Sequence, residues 1–173
     1  MDCVLRTASP EDAGDLVALW REAAENSGRP PDTTDAVTAL LGRDPEAVIL
    51  AEHDGVLIGS VIAGWDGWRY HLYRLAVRPG WRRRGVGAAL LSAAERRLWD
   101  LGATRIDAMV LDDNDLGQNL WRASGYRRQD DWRRWVKMLL GAARPLTGRA
   151  RDGWSGAGAS PPALTWPWSP YGG

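Results

Sequence analysis

The chain has 173 residues, 45% of them hydrophobic, and its 22 basic and 22 acidic residues cancel to a formal charge of zero. That size and balance suit one domain with its own core, and no apolar run approaches the roughly 20 residues needed to cross a bilayer. Neutrality argues against the broad basic footprint of a nucleic-acid-binding protein, and Met1-Asp2-Cys3-Val4-Leu5-Arg6 lacks the charged and apolar regions of a signal peptide, so a soluble cytoplasmic protein is expected, with no membrane or nucleic-acid partner.

Cys3 is the only cysteine, which leaves no intramolecular disulfide and no zinc site to build, and no metal is expected. Val4 to Thr7 reads as a first strand. Ser9-Pro10-Glu11-Asp12 then supplies an N-cap, a proline at the first helical position and acids in the first turn. Leu16, Leu19, Trp20 and Ala23 recur at helical spacing as a buried stripe, ending near Asn26-Ser27-Gly28. After the Arg29-Pro30-Pro31-Asp32 loop, Thr33 to Leu41 reads as a second short helix. Ala47 to Glu52 and Val56 to Ala63 flank His53-Asp54-Gly55 as a hairpin. Gly64-Trp65-Asp66-Gly67-Trp68 turns the chain into a fourth strand, Tyr70 to Val77.

A long helix follows, with Leu90, Leu91, Ala94, Leu98 and Leu101 on its apolar face and Gly102 as its stop. Arg105 to Leu111 reads as a fifth strand, Asp115 to Ser124 as a helix closed by Gly125, and Tyr126 to Leu139 as a final antiparallel pair. The order is βααβββαβαββ: an α/β (α+β) fold with a mixed, mostly antiparallel sheet of six to seven strands flanked by about four helices. Residues 1–140 form the expected domain. Prolines, glycines and tryptophans dominate 141–173, which reads as a flexible tail.

Between the fourth strand and the long helix lies Val77-Arg78-Pro79-Gly80-Trp81-Arg82-Arg83-Arg84-Gly85-Val86-Gly87-Ala88. Glycines let the backbone bend sharply and come close to a ligand, and the free N–H groups of a helix start, with the positive end of its dipole, favour a phosphate. Other readings fit less well. A dinucleotide fold needs its glycines after the first strand of a parallel βαβ unit, with an acid about 20 residues on. A P-loop needs Gly-Lys-Ser or Gly-Lys-Thr. A plain helix start with solvated arginines is the bland alternative.

Arg82-Arg83-Arg84-Gly85-Val86-Gly87 resembles the acyl-CoA-binding motif of the GCN5-related N-acetyltransferase (GNAT) superfamily, and Val77-Arg78-Pro79 before it and Leu90-Leu91 after it match as well. Asn114 to Tyr126 resembles that family's second signature, an Asn, a small residue, an aromatic and a closing Gly-aromatic pair. The resemblance covers about residues 3–140. It implies an acetyl-CoA-dependent N-acetyltransferase acting on a primary amine, of a small molecule or a protein, by direct attack in a ternary complex; a non-catalytic acyl-CoA-binding regulatory domain is the alternative. Acetyl-CoA is the implied co-substrate, and a monomer or homodimer the implied assembly.

The same resemblance implies that the fourth and fifth strands splay to admit the pantetheine arm, with Leu75 and Val77 offering backbone groups. The N–H groups of Arg83, Arg84, Gly85, Val86, Gly87 and Ala88 would hold the pyrophosphate, with charge from Arg82 and Arg84. Asn114 and Trp121 would border the cofactor. Histone-acetylating members carry a Glu six residues before the Val of this motif; here the position is His71, which alternation places on one face with Tyr73 and Leu75. His71 then reads either as a base, directly or through water, or as a partly buried strand histidine. Trp121 stands where many members have an acidic Tyr, and an indole N–H cannot protonate a thiolate. Tyr73, Tyr126 or water would take that role. Trp20, Trp65, Trp68 and Tyr70 offer aromatic walls for the acceptor, and Glu22, Glu25 and Asp66 a pull on its ammonium group. Cys3, far from the motif, argues against a covalent acetyl-enzyme.

Overall fold

The computed structural model describes residues 3–23, 30–131 and 134–137. Strand β1 (Val4–Thr7) leads through a short 3-10 turn (Pro10–Asp12) into helix α1 (Ala13–Glu22). Asp12 organises that entry: its carboxylate accepts the Ser9 backbone N–H at 2.7 Å and both Arg6 guanidinium nitrogens at 2.7 and 2.6 Å. The described part of α1 stops at Glu22, short of the expected end near 26–28, which lies outside the described residues.

Helix α2 (Thr34–Arg43) starts where Thr33 Oγ1 accepts the Ala36 N–H at 3.2 Å. Strands β2 (Val48–His53) and β3 (Val56–Trp65) form the expected hairpin. Asp54 and Gly55, at φ of 49° and 75°, give its two-residue turn the left-handed conformation that matches strand twist. Strand β4 (Tyr70–Val77) and helix α3 (Val86–Asp100) fall where the sequence places them, and β5 (Asp107–Ala108) and α4 (Asp115–Ala123) complete the described elements.

The sheet runs in the order β1-β2-β3-β4-β5, antiparallel except for the parallel pair β4–β5. It is therefore mixed and mostly antiparallel, as expected. On one face Leu16, Leu19 and Trp20 of α1 and Val37 and Leu41 of α2 pack with Val48 and Leu50. On the other, Val86, Leu90, Leu91, Ala94 and Leu98 of α3 pack with Ile49, Ile58, Val61 and Leu72. Burial of each such side chain is worth about 1.5–3 kcal/mol. No helix among the described residues is long and apolar enough to cross a membrane.

Several expectations are corrected. The sheet has five strands among the described residues, where six to seven were expected, and β5 spans two residues of the seven from Arg105 to Leu111. Ile106 and Ala108 pack with the α3-side cluster, but Met109 just beyond is 66% exposed, and the pairing ends at Ala108. Residues 126–131 and 134–137 form no strand, and 132, 133 and 138–140 lie outside the described residues. Tyr126 packs with the α3-side cluster, but Trp135 is 94% exposed and Arg128 pairs with Asp112 and Asp130, so no alternating apolar face follows among the described residues. Leu101, expected on the apolar face of α3, is also exposed at its end. The tail expected over 141–173 lies outside the described residues.

Candidate active site

The site begins where β4 and β5 part. They pair only at His71 opposite Asp107 and Leu72 opposite Ala108, so from Tyr73 to Val77 the outer edge of β4 has no strand partner among the described residues. Along the same stretch the inner edge breaks register. Ile62 faces Tyr73 and Ser60 faces Ala76, leaving Arg74 and Leu75 together opposite Val61. This is a β-bulge, and Arg74 carries its bend at φ of 49°.

The bulge changes which residues share a face. Directly opposed residues lie on the same side of a sheet. Tyr73 opposes Ile62, which packs with α1 and α2, and His71 opposes Gly64 two residues along, so His71 and Tyr73 share the α1/α2 face. Their rings lie 5.7 Å apart. Leu75 instead packs with the α3 cluster, as does Val77. Simple alternation put His71, Tyr73 and Leu75 together; the extra residue at Arg74 turns Leu75 away.

Tyr73 fits where it does because Gly64 has no side chain, since a Cβ there would lie 3.1 Å from Tyr73 Cε2. Burial, and then the charge of Asp66, push the Tyr73 phenol above its ordinary range. Asp66 is itself held low by the backbone N–H groups of Arg69 and Trp68, which it accepts at 2.7 and 2.8 Å.

At the far end of β4 the chain passes a 3-10 turn (Pro79–Trp81) and enters α3 through Gly85, whose φ of 84° demands glycine. No side chain caps this helix start, and the N–H groups of its first turn have no intrahelical acceptor. Arg83, itself at φ of 59°, and Arg84 are exposed beside it. The Arg84 guanidinium lies 5.4 Å from the Trp81 ring centre, and the His53 ring is 4.7 Å from Trp81. Arg82 turns back, its Nε donating to the Val77 carbonyl at 3.2 Å. Val86 points its side chain into the core, while Ala88 is exposed.

Gly87 serves a different end from Gly85. Its conformation is ordinary, but a Cβ would meet Leu120 of α4 at 3.1 Å and Val77 at 3.8 Å. It lets α4 approach the start of α3. Asn114 caps α4, its Oδ1 accepting the Gly117 N–H at 2.6 Å, so its side chain is committed to the helix. Trp121 packs edge-on against Tyr126, with centroids 4.8 Å apart, and joins the α3-side cluster. Burial and the neighbouring Glu95 carboxylate raise the Tyr126 phenol strongly.

The expected acceptor walls divide. Trp20 is only 3% exposed and donates Nε1–H to Ser60 Oγ at 2.8 Å, which makes it core. Tyr70 stacks on Trp65 and donates its hydroxyl to the Leu101 carbonyl, whereas Trp68 is 78% exposed. Glu22 pairs with Arg78, and Glu25 lies outside the described residues. Sequence reasoning missed Arg74 and Asp32, whose partnership spans 42 positions and follows no local pattern. It also missed the packing of His53 on Trp81, although the sequence holds only two histidines.

Comparison with known proteins agrees with this geometry. The model of the acetyltransferase (GNAT) family matches residues 15–126. An acetyltransferase of Yersinia pseudotuberculosis is 33% identical over 127 residues, covering 73% of this chain and 89% of that protein. One of Sodalis glossinidius is 32% identical over 127 residues, covering 73% of this chain and 88% of its own length. Among solved structures, the PaiA N-acetyltransferase of Thermoplasma acidophilum in complex with coenzyme A superposes with a TM-score of 0.67 at 20% identity, over 75% of this chain and 92% of that one. AAC(6')-Iy, bound to a bisubstrate analogue, gives a TM-score of 0.65 at 21% identity, over 80% of this chain and all (100%) of that one. With an open β4–β5 edge leading to an uncapped, arginine-flanked helix start, and with relatives of this likeness over most of their length, the chain belongs to the acetyltransferase (GNAT) family and is an N-acetyltransferase.

Proposed function

We propose that the protein transfers the acetyl group of acetyl-CoA to a primary amine by direct attack in a ternary complex. The observation that carries this reading is the continuity of the unpaired β4 edge, Tyr73 to Val77, with the uncapped start of α3. An extended pantetheine arm carries amide groups that suit a free strand edge, with Leu75 and Val77 as its partners. A pyrophosphate suits the N–H groups from Arg83 to Ala88, where the helix dipole and the arginines add to the attraction. PaiA and AAC(6')-Iy were solved with coenzyme A and with a CoA-linked analogue, in the same fold.

The acyl end then lies by the bulge, next to His71 and Tyr73. The amine reaches it from the α1/α2 face, where His71 accepts its proton directly or through water. The nitrogen attacks the thioester carbonyl, and backbone N–H groups at the bulge, where the ladder to β3 is interrupted, favour the negative charge that grows on its oxygen. Collapse expels the CoA thiolate. Tyr73, a neutral phenol on the same face as His71, gives it a proton. Tyr126, raised by burial and the nearby Glu95 carboxylate and packed on Trp121, suits it less.

Calorimetry with acetyl-CoA on the wild type and Gly87→Val tests the cofactor half of this reading. A valine at 87 meets Leu120 and shifts the first turn of α3, a strain of about 1–3 kcal/mol. Acetyl-CoA affinity is expected to fall roughly tenfold or more while the fold survives by circular dichroism. Unchanged affinity would remove the α3 start from the site.

A further inference from the structure

We infer that Asp32 is a positioning residue for acyl transfer: its ion pair with Arg74 holds the β4 bulge in the left-handed conformation that keeps the strand's backbone open beside the acyl group. The inference rests on the reading above, because it takes the bulge as the place where the thioester lies.

A non-glycine residue at φ of 49° is unfavourable by about 1–2 kcal/mol, and arginine has no short polar side chain to bond locally and offset the cost. Such a conformation persists when surrounding contacts over-determine it. Here the contact is explicit. Arg74 Nε and Nη2 both donate to Asp32 Oδ1, at 2.9 and 2.7 Å, with the carboxylate 15% exposed and the guanidinium 30%. A pair so placed is stronger than an exposed one and has fixed geometry.

Asp32 is itself well anchored. It follows Pro30-Pro31, which restricts the backbone, and precedes Thr33, the residue that caps α2. The start of α2 is therefore tied to one residue of β4, the one that interrupts its ladder. A second arginine of the same segment, Arg78, ties the end of β4 to Glu22 of α1 and donates Nε–H to the Leu57 carbonyl at 2.7 Å. Arg78 secures a regular end of the strand, whereas Arg74 secures the strained one. Releasing Arg74 lets residue 74 relax to negative φ, which re-aims the N–H groups of residues 74 and 75 and moves Tyr73, one residue before.

The test exploits glycine, which adopts positive φ without penalty. Asp32→Ala should lower kcat about tenfold and leave the acetyl-CoA Kd within twofold, as loss of preorganised backbone predicts. The double variant Asp32→Ala, Arg74→Gly should recover most of that loss, although it removes a further side chain. A pair that served stability alone would lower the melting temperature in both variants with no recovery of kcat. Backbone chemical shifts and couplings at position 74 give an answer without turnover: positive φ in the wild type and the double variant, lost in Asp32→Ala. Retention of positive φ in Asp32→Ala, or a double variant no faster than Asp32→Ala, overturns the inference. Failure of the wild type to release CoA with any amine would instead count against the proposed function, and the measurement of φ would still decide the role of Asp32.

Discussion

His71 and Tyr73 share a face by strand alternation, and residues with no chemistry of their own shape their surroundings. Gly64 leaves room for the Tyr73 ring, and Arg74 absorbs the extra residue that sends Leu75 to the opposite side. If His71 takes the proton of the amine, His71→Ala should lower kcat at least about 100-fold while acetyl-CoA affinity stays near the wild-type value, because the imidazole faces the acceptor side rather than the start of α3. Steady-state rates beside calorimetry check this, and a wild-type rate would exclude His71. Strand alternation in the sequence was enough to pair His71 with Tyr73, which lie before the bulge. It failed for Leu75 because a bulge has no signature in residue type here: its bend falls on an arginine, not a glycine, and is held by an aspartate distant in the chain. Asn114 and Gly87 were legible as motif positions, but their physical tasks, a helix cap and a close approach of two helices, appear only when α4 is seen against α3.

Among the elements, the entry to α1 is the most tightly specified electrostatically. Arg6 on β1 bonds both Asp12 oxygens and also Glu52 at 2.6 Å, so one guanidinium joins β1, the helix entry and β2. The Asp12 carboxyl is lowered from 3.8 to about 2, first by the Arg6 hydrogen bond, against the opposing effect of burial. A carboxyl depressed in the folded state lends stability that is fully present above its unfolded pKa and is lost as the pH falls through the folded value. The window is therefore from 3.8 down to about 2. Over it Asp12 should account for roughly 1–2 kcal/mol of lost stability, and Asp12→Asn should flatten that part of a plot of unfolding free energy against pH. An Asp12→Asn slope equal to the wild type would show that the pair contributes nothing.

The elements also show where sequence patterns suffice. The bounds of β1 and β4 match their expected ranges, because each is an apolar or aromatic run between clear turn residues. The fifth strand and the pair after it do not. A strand's length depends on the partner that accepts its hydrogen bonds, and beyond Ala108 neither β4 nor any following segment among the described residues provides one. The early end of that pairing also leaves free the β4 edge that the proposed function assigns to the pantetheine arm, so one feature underlies both the missed strand and that proposal.

For the whole molecule, the division of labour follows the sheet. The α3 face holds one core and the uncapped helix start, which the proposed function assigns to the nucleotide end of the donor, and the α1/α2 face carries His71 and Tyr73, which it assigns to the acceptor. On that proposal the two substrates enter from different sides of one strand, which favours simultaneous occupancy over a shuttling acetyl-enzyme. Cys3, the one strong thiol nucleophile in the sequence, packs beside the α3-side cluster next to β1, at the far edge of the sheet from β5. The most direct test is the initial-rate pattern of CoA-thiol release with acetyl-CoA and a primary amine, drawn from a panel of small amines and peptides, both varied. Direct transfer predicts double-reciprocal lines that intersect to the left of the axis. Parallel lines would require an acetyl-enzyme, and acetyl-CoA binding without amine-dependent thiol release would make the domain a sensor of acyl-CoA; either result would contradict the account.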